Sequence, residues 1–300
     1  MSTHVPAHAS AAPTAQAPAR TAVGTAPASS VPRPAGPRIQ GRQTILHSLR
    51  AEWIKFWSLR STWITSFITI ALTVLFGAGL TAALGQSEHY QDTAKNMITS
   101  GLTFGQVVVA VLGALIITGE YSSGQIRSSL TAIPHRGRLL LAKAVVLSVV
   151  AFLLGSVSVF LSWAISKPFI GEHAGSLTDS HYAGHIWGSG LVFAVIALMA
   201  LGLGFLLRST AGTITVIVSL LFIISTPLQI AASKWDWIYK IIGCLPSTVS
   251  EAVSDPFQRT TEWGGQGAQF LTHGQAIAVF AAWALVPLIA AWFVFSRRDA

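Results

Sequence analysis

Residues 186–232 read IWGSGLVFAVIALMALGLGFLLRSTAGTITVIVSLLFIISTPLQIAA, and this stretch decides the fold class. Its one charged residue is Arg208, which with Ser209 separates two apolar runs, 186–207 and 211–232. Each run is close to the ~20 residues that cross ~30 Å of hydrocarbon at ~1.5 Å per residue. Two spans joined by so short a link predict a tight hairpin. Pro227 falls within the second run and predicts a kink, because its ring removes a helical N–H.

Outward from this hairpin, four further apolar runs cover about 63–84, 102–118, 144–165 and 274–295, the second extending past Gly119 and the last containing Pro287. The chain is 52% hydrophobic and 10% charged over 300 residues. Soluble domains carry about 25% charged residues, so lipid is the solvent that this composition fits. The expected fold is an all-α integral membrane protein with six transmembrane helices.

The flanking segments differ. Residues 1–42 are Ala/Pro-rich and carry no periodic apolar face, so a disordered tail is expected. No apolar core of a secretory signal follows the start. In 43–62, Leu46, Leu49, Trp53 and Trp57 recur at helical spacing among Arg50, Lys55 and Arg60. That pattern predicts an amphipathic interfacial helix; a plain extension of the first span is the alternative. Residues 63–298 then form the six-span domain. Between spans five and six, 233–273 holds the apolar segment WDWIYKIIGCL, too short to span, followed by Pro246. One or two short helices dipping into the outer leaflet are expected there, or a folded surface loop with an aromatic belt.

The net charge is +8. Because the basic residues lie between the apolar runs and in the tail, they read as topology and lipid determinants, not as a nucleic-acid surface. With both termini inside, fourteen of the nineteen Lys and Arg fall on the cytoplasmic side. No Asp, Glu, Lys, Arg or His lies in the core of a span, which argues against ion-coupled transport. No His-Glu-x-x-His motif and no Gly-Lys pair of a phosphate-binding loop occurs. His181 and His185 have i, i+4 spacing but no carboxylate in register, and the lone Cys244 reads as a packing residue. No bound cofactor or metal is expected.

The most informative connection is GEYSSGQIRSSLTAIPHRGRLLLAK, Gly119 to Lys143. It leaves the second span through Glu120 and Tyr121, turns at Gly124, carries the apolar stripe Ile126, Leu130 and Ile133, and turns again at Pro134. The positive-inside rule accounts for Arg136, Arg138 and Lys143, but not for Glu120 at the membrane face.

This stretch resembles the first cytoplasmic loop of ATP-binding-cassette export permeases of the type-two class, and AEWIKFWSLRSTW (51–63) is similar to the interfacial helix of the same family. The resemblance spans about 43–298. It implies the permease subunit of an exporter in a bacterial cell membrane, without its own ATPase site. ATP would act through a separate ATPase subunit, and a second permease half, identical or not, would complete the pathway. By the same resemblance Glu120, Tyr121, Gly124, Ile126, Arg127 and Pro134 form the coupling element. Arg50, Lys55, Arg60, Arg136, Arg138 and Lys143 meet lipid phosphates or the ATPase, and a Glu120–Lys55 pair is expected. Polar positions in spans one, two and five are pathway candidates: Thr69, Thr73, Gln106, Thr213, Thr215 and Ser219. Two rival readings share the span count. One is a non-transporting immunity or sensor subunit; the other is a membrane-embedded enzyme, which requires convergent ionisable groups at one depth.

Overall fold

The structure is a computed structural model; it describes residues 44–85, 95–133, 135–171, 180–255 and 271–297. The expectations for the tail (1–42) and for Pro134 lie outside these residues. Among the described residues there is no strand, and six helices are long and apolar enough to cross a membrane.

Helix α1 (Ile45–Ser58) is followed, across extended Leu59, by α2 (Arg60–Gly85). A 3-10 turn (Lys95–Thr99) leads into α3 (Leu102–Ser122). Short α4 (Gln125–Ala132) precedes α5 (Arg136–Ile170), and α6 (Ser180–Leu207) follows. The fifth span is not one helix. It consists of α7 (Thr210–Val218), a π turn (Ser219–Ile223) and α8 (Ser225–Ala232). Short α9 (Ile238–Gly243) and α10 (Pro246–Ser254) precede the last span, α11 (His273–Arg297).

Helix α6 is the centre of the bundle, packed against α3, α5, α7, α10 and α11. Its Val192, Phe193, Ile196, Ala197 and Leu201 are fully buried. Lipid tails are as apolar as these side chains, so close packing, not water exclusion, must hold the helices together. Glycine permits it: a Cβ on Gly155 of α5 would stand 2.4 Å from the Ser189 carbonyl oxygen, and one on Gly113 of α3 would stand 2.4 Å from that of Ala197. Large apolar side chains point away from the core instead, among them Phe67 and Leu75 of α2, Ile223 and Ile230 of the fifth span, and Phe293 of α11.

The break in the fifth span has a local cause. Pro227 has no N–H for the Ile223 carbonyl four residues back, and its ring crowds that carbonyl. The kink expected there is accommodated as a π turn just upstream. The predicted α6–α7 hairpin is also present. Arg208 takes a left-handed φ of 52° to make it, its N–H closing onto Gly204 O at 2.9 Å, and Ser209 Oγ caps α7 by accepting from Gly212 N at 3.2 Å.

Two boundaries differ from expectation. Helix α5 begins at Arg136, not 144, so Arg136, Arg138 and Lys143 sit on a rigid helix and not in a loop. Helix α6 begins before Ile186, which places His185 inside it, 1% exposed and donating from Nδ1 to Ser254 O at 2.8 Å. The side chain of His181 lies outside the description. The two short helices expected in 233–273 are α9 and α10.

Candidate functional site

The residues that matter most gather where α1, α3, α4 and α5 meet. Helix α1 presents two faces. Leu46, Trp53 and Trp57 point outward, Leu46 being 72% exposed, whereas Ser48, Glu52 and Phe56, four residues apart, are buried against the bundle. This is the geometry of a helix whose apolar stripe meets lipid while its polar face meets protein. Trp63 Nε1 donates to Trp57 O at 3.0 Å, and the two indoles lie 4.7 Å apart, which fixes α1 to the start of α2.

At the end of α3, Glu120 is 3% exposed. Its Oε1 receives Lys55 Nζ of α1 at 2.5 Å and also Lys143 Nζ of α5. Its Oε2 accepts from Ser129 Oγ of α4 at 3.2 Å. Lys55 Nζ further donates to Ser129 Oγ at 3.2 Å, and Lys143 Nζ to Glu52 Oε2 of α1 at 2.9 Å. Two carboxylates and two ammonium groups therefore balance, and one carboxylate joins four helices. A buried charge left unpaired costs several kcal/mol, so the four helices are held in one relative placement.

Helix α4 is set by this clamp and by its own sequence. Gly124 precedes it with φ 71°, a left-handed conformation that glycine adopts without penalty. Ile126 and Ile133 are buried and Leu130 packs on the same core, while Arg127, Ser128 and Thr131 are exposed. Tyr121 stacks edge-on against Phe205 and lies beneath the Arg208 guanidinium, 4.9 Å from its ring centre. A groove of about 500 Å³ runs between α1 and α4, lined by His47, Ala51, Lys55, Gln125, Ser128 and Ala132 among others.

Of the residues expected to couple, the structure places Glu120 in the charge cluster. The Glu120–Lys55 pair is present; Tyr121 follows it in α3 but turns to Phe205 and Arg208, and Gly124, Ile126 and Arg127 open α4. Lys143 is a correction: expected at lipid phosphates or a partner, it is 2% exposed and neutralised by Glu52 and Glu120. Arg136 is half-buried; its Nη1 donates to Phe295 O at 2.9 Å and its guanidinium lies over the Phe295 ring, at the last turn of α11. Arg50, Arg60 and Arg138 have exposed side chains. Glu52 was missed as a site residue; its only signal was a four-residue spacing with Ser48 and Phe56.

The pathway candidates scatter. Thr69, Thr73 and Thr213 are 0% exposed, and each hydroxyl donates to the carbonyl four residues back in its own helix, at 2.7–2.8 Å. They therefore line no opening. Thr215 is exposed and Ser219 half-buried at the start of the π turn. Gln106 lines a cavity of about 600 Å³ at the end of the bundle where α3 begins; its Nε2 donates to Ser250 Oγ of α10 at 3.4 Å.

Comparison with known proteins fits this arrangement. The family model described as ABC-2 family transporter protein matches residues 48–234, which takes in the four charged clamp residues and five of the spans. No curated protein sequence matches the chain. With six helices able to cross a bilayer and a family match over more than half its length, the chain is a multi-pass membrane protein of transport, and it belongs to the ABC-2 transporter family as a permease.

Proposed function

We propose that this permease is one half of an ATP-driven exporter in a bacterial cell membrane, with both termini cytoplasmic, and that the helix α4 loop receives the stroke of a separate ATPase subunit. The observation that carries the reading is Glu120, which ties α4 to α1, α3 and α5 at once. A push on α4 cannot then be absorbed by the loop. It moves the interfacial helix and spans two and three as a unit. Arg127, Ser128 and Thr131 form the exposed face offered to the partner, while Ile126 anchors the opposite side; Gly124 and Ile133 bound the element. A second permease half, pairing through the exposed apolar faces of the first and fifth spans, completes the pathway.

Reconstitution with the cognate ATPase tests this. Arg127→Glu changes an exposed residue and should leave the permease folded while reducing permease-stimulated ATP turnover at least tenfold. Glu120→Ala should abolish stimulation. Unchanged turnover and transport in both variants would sink the coupling assignment.

A further inference from the structure

We propose that the recess at the end of the bundle remote from α4 is a binding site for a protonated amine with an apolar body, and that Glu251 is its counter-ion. The proposal deepens the exporter reading by naming a substrate class, and it rests on that reading only for the role of substrate.

The recess is built from three directions. Helix α10 turns Val249, Ala252 and Val253 into the core, which leaves Ser247, Thr248 and Glu251 on its other face. Thr103 and Gln106, in the first turns of α3, supply the opposite polar wall. The floor is apolar and aromatic: Leu221 and Phe222 from the π turn, Tyr239 and Ile242 from α9. A volume of about 600 Å³ is that of a small-molecule pocket. The π turn that shapes its floor is a rare backbone form that recurs at functional sites.

Charge identifies the occupant. Among the described residues no Lys, Arg or His lines the recess, and no side chain bonds or pairs with the Glu251 carboxylate. The contrast within this chain is informative, because Glu52 and Glu120 are each matched by a lysine. Glu251 is exposed to the recess, yet crowded by its walls, and burial pushes its carboxyl above the usual carboxylate range. A neutral occupant would strip water from this group and give nothing back; an anion would be repelled. A divalent cation demands six or more oxygen ligands and commonly several carboxylates, whereas a single carboxylate matches a single positive charge. Phe222 and Tyr239 add aromatic faces that favour a cation, and Leu221 and Ile242 suit an apolar body.

The test uses the full chain, purified without an ATPase, in phosphatidylcholine nanodiscs, which carry no net anionic lipid charge. The probes are monodansylcadaverine, a primary amine on a naphthalene body, and its N-acetyl derivative, which lacks the charge. Fluorescence titration should show the amine binding at least tenfold more tightly than the acetyl compound. Glu251→Gln should abolish that preference while leaving acetyl-probe affinity unchanged, which also reports a folded recess. Ser247→Lys, which places a competing ammonium on the same wall, should abolish it independently. Equal affinities for the two probes on the native protein, or a preference retained in both variants, overturns the proposal. Because no ATPase is present, that failure leaves the exporter reading standing. A clear amine preference with no amine stimulation of ATP turnover in the full complex would instead support the site and count against export.

Discussion

Replacing Lys143 by Met removes the cation at the centre of the clamp while preserving most of the side-chain volume. The magnitude follows from the contacts. Lys143 Nζ lies 2.9 Å from Glu52 Oε2, and at an effective dielectric of about 20 that pair attracts by roughly 6 kcal/mol before desolvation is subtracted. Loss of one partner from a buried pair costs about 3–5 kcal/mol overall. Glu120 keeps Lys55, so the penalty falls on Glu52, which retains no cation among the described residues. We therefore expect Lys143→Met to lose about 3 kcal/mol of stability. Denaturant unfolding in nanodiscs, followed by tryptophan fluorescence, measures it. The double variant Lys143→Met/Glu52→Gln removes both charges and should recover about 2 kcal/mol of that loss, because no unpaired buried charge remains. A loss under about 0.5 kcal/mol in the single variant, or strict additivity in the cycle, would refute the clamp.

Three further outcomes are expected. Gly124→Ala forces a Cβ into φ 71° and should cost about 1–2 kcal/mol, read by the same unfolding assay, with a larger fall in ATPase stimulation because α4 is mis-aimed. Arg136→Gln gives up the charged donor to Phe295 O and the guanidinium over its ring; about 1–2 kcal/mol should be lost, and protease cleavage near the end of α11 should accelerate. For Glu251 the sign is reversed from the usual carboxylate: its folded-state carboxyl is raised, so the folded state holds the proton more tightly and native stability falls as pH rises through that titration. Glu251→Gln should therefore be more stable than the native chain at pH 7 and indistinguishable from it below about pH 4. Among the described residues Tyr239 is the other titratable residue lining the recess, and His185 and His273, which hold the Ser254 and Ala252 carbonyls of α10, are present in both forms and cancel in the difference. Unfolding curves across pH 4–8 that stay parallel would contradict this.

The spans were legible because hydropathy adds along the chain and lipid permits few alternatives to a helix. The Gly119–Lys143 turn was legible from Gly124 and its apolar stripe, and Glu120 drew notice because an acid at that position runs against the positive-inside pattern. Lys143 was misread because a basic residue at a span end satisfies a topology rule whether it faces lipid, a partner or a buried carboxylate. Glu52 was hidden by an inversion. In a soluble protein the polar face of an amphipathic helix meets water, but α1 turns its apolar stripe outward and its polar face onto the bundle. The threonines of the spans read as pathway candidates because they are polar positions among apolar ones; for Thr69, Thr73 and Thr213 the backbone carbonyl four residues back takes up the hydroxyl. Glu251 was invisible because only the packing of α10 against α6 and α11 shows which of its faces is left open.

The order of biosynthesis gives the charge clamp one more consequence. Glu52 and Lys55 leave the ribosome first, Glu120 next and Lys143 last, and 91 residues separate Glu52 from its lysine. At about 5–20 residues per second, the first helix waits roughly 5–20 s for the cation that neutralises it. Until then α1 is best accommodated at the wet surface of the bilayer, so the first three spans mature as one late-closing unit. A nascent chain truncated before Lys143 should remain open to quality-control proteolysis, whereas one extended through α5 should resist it.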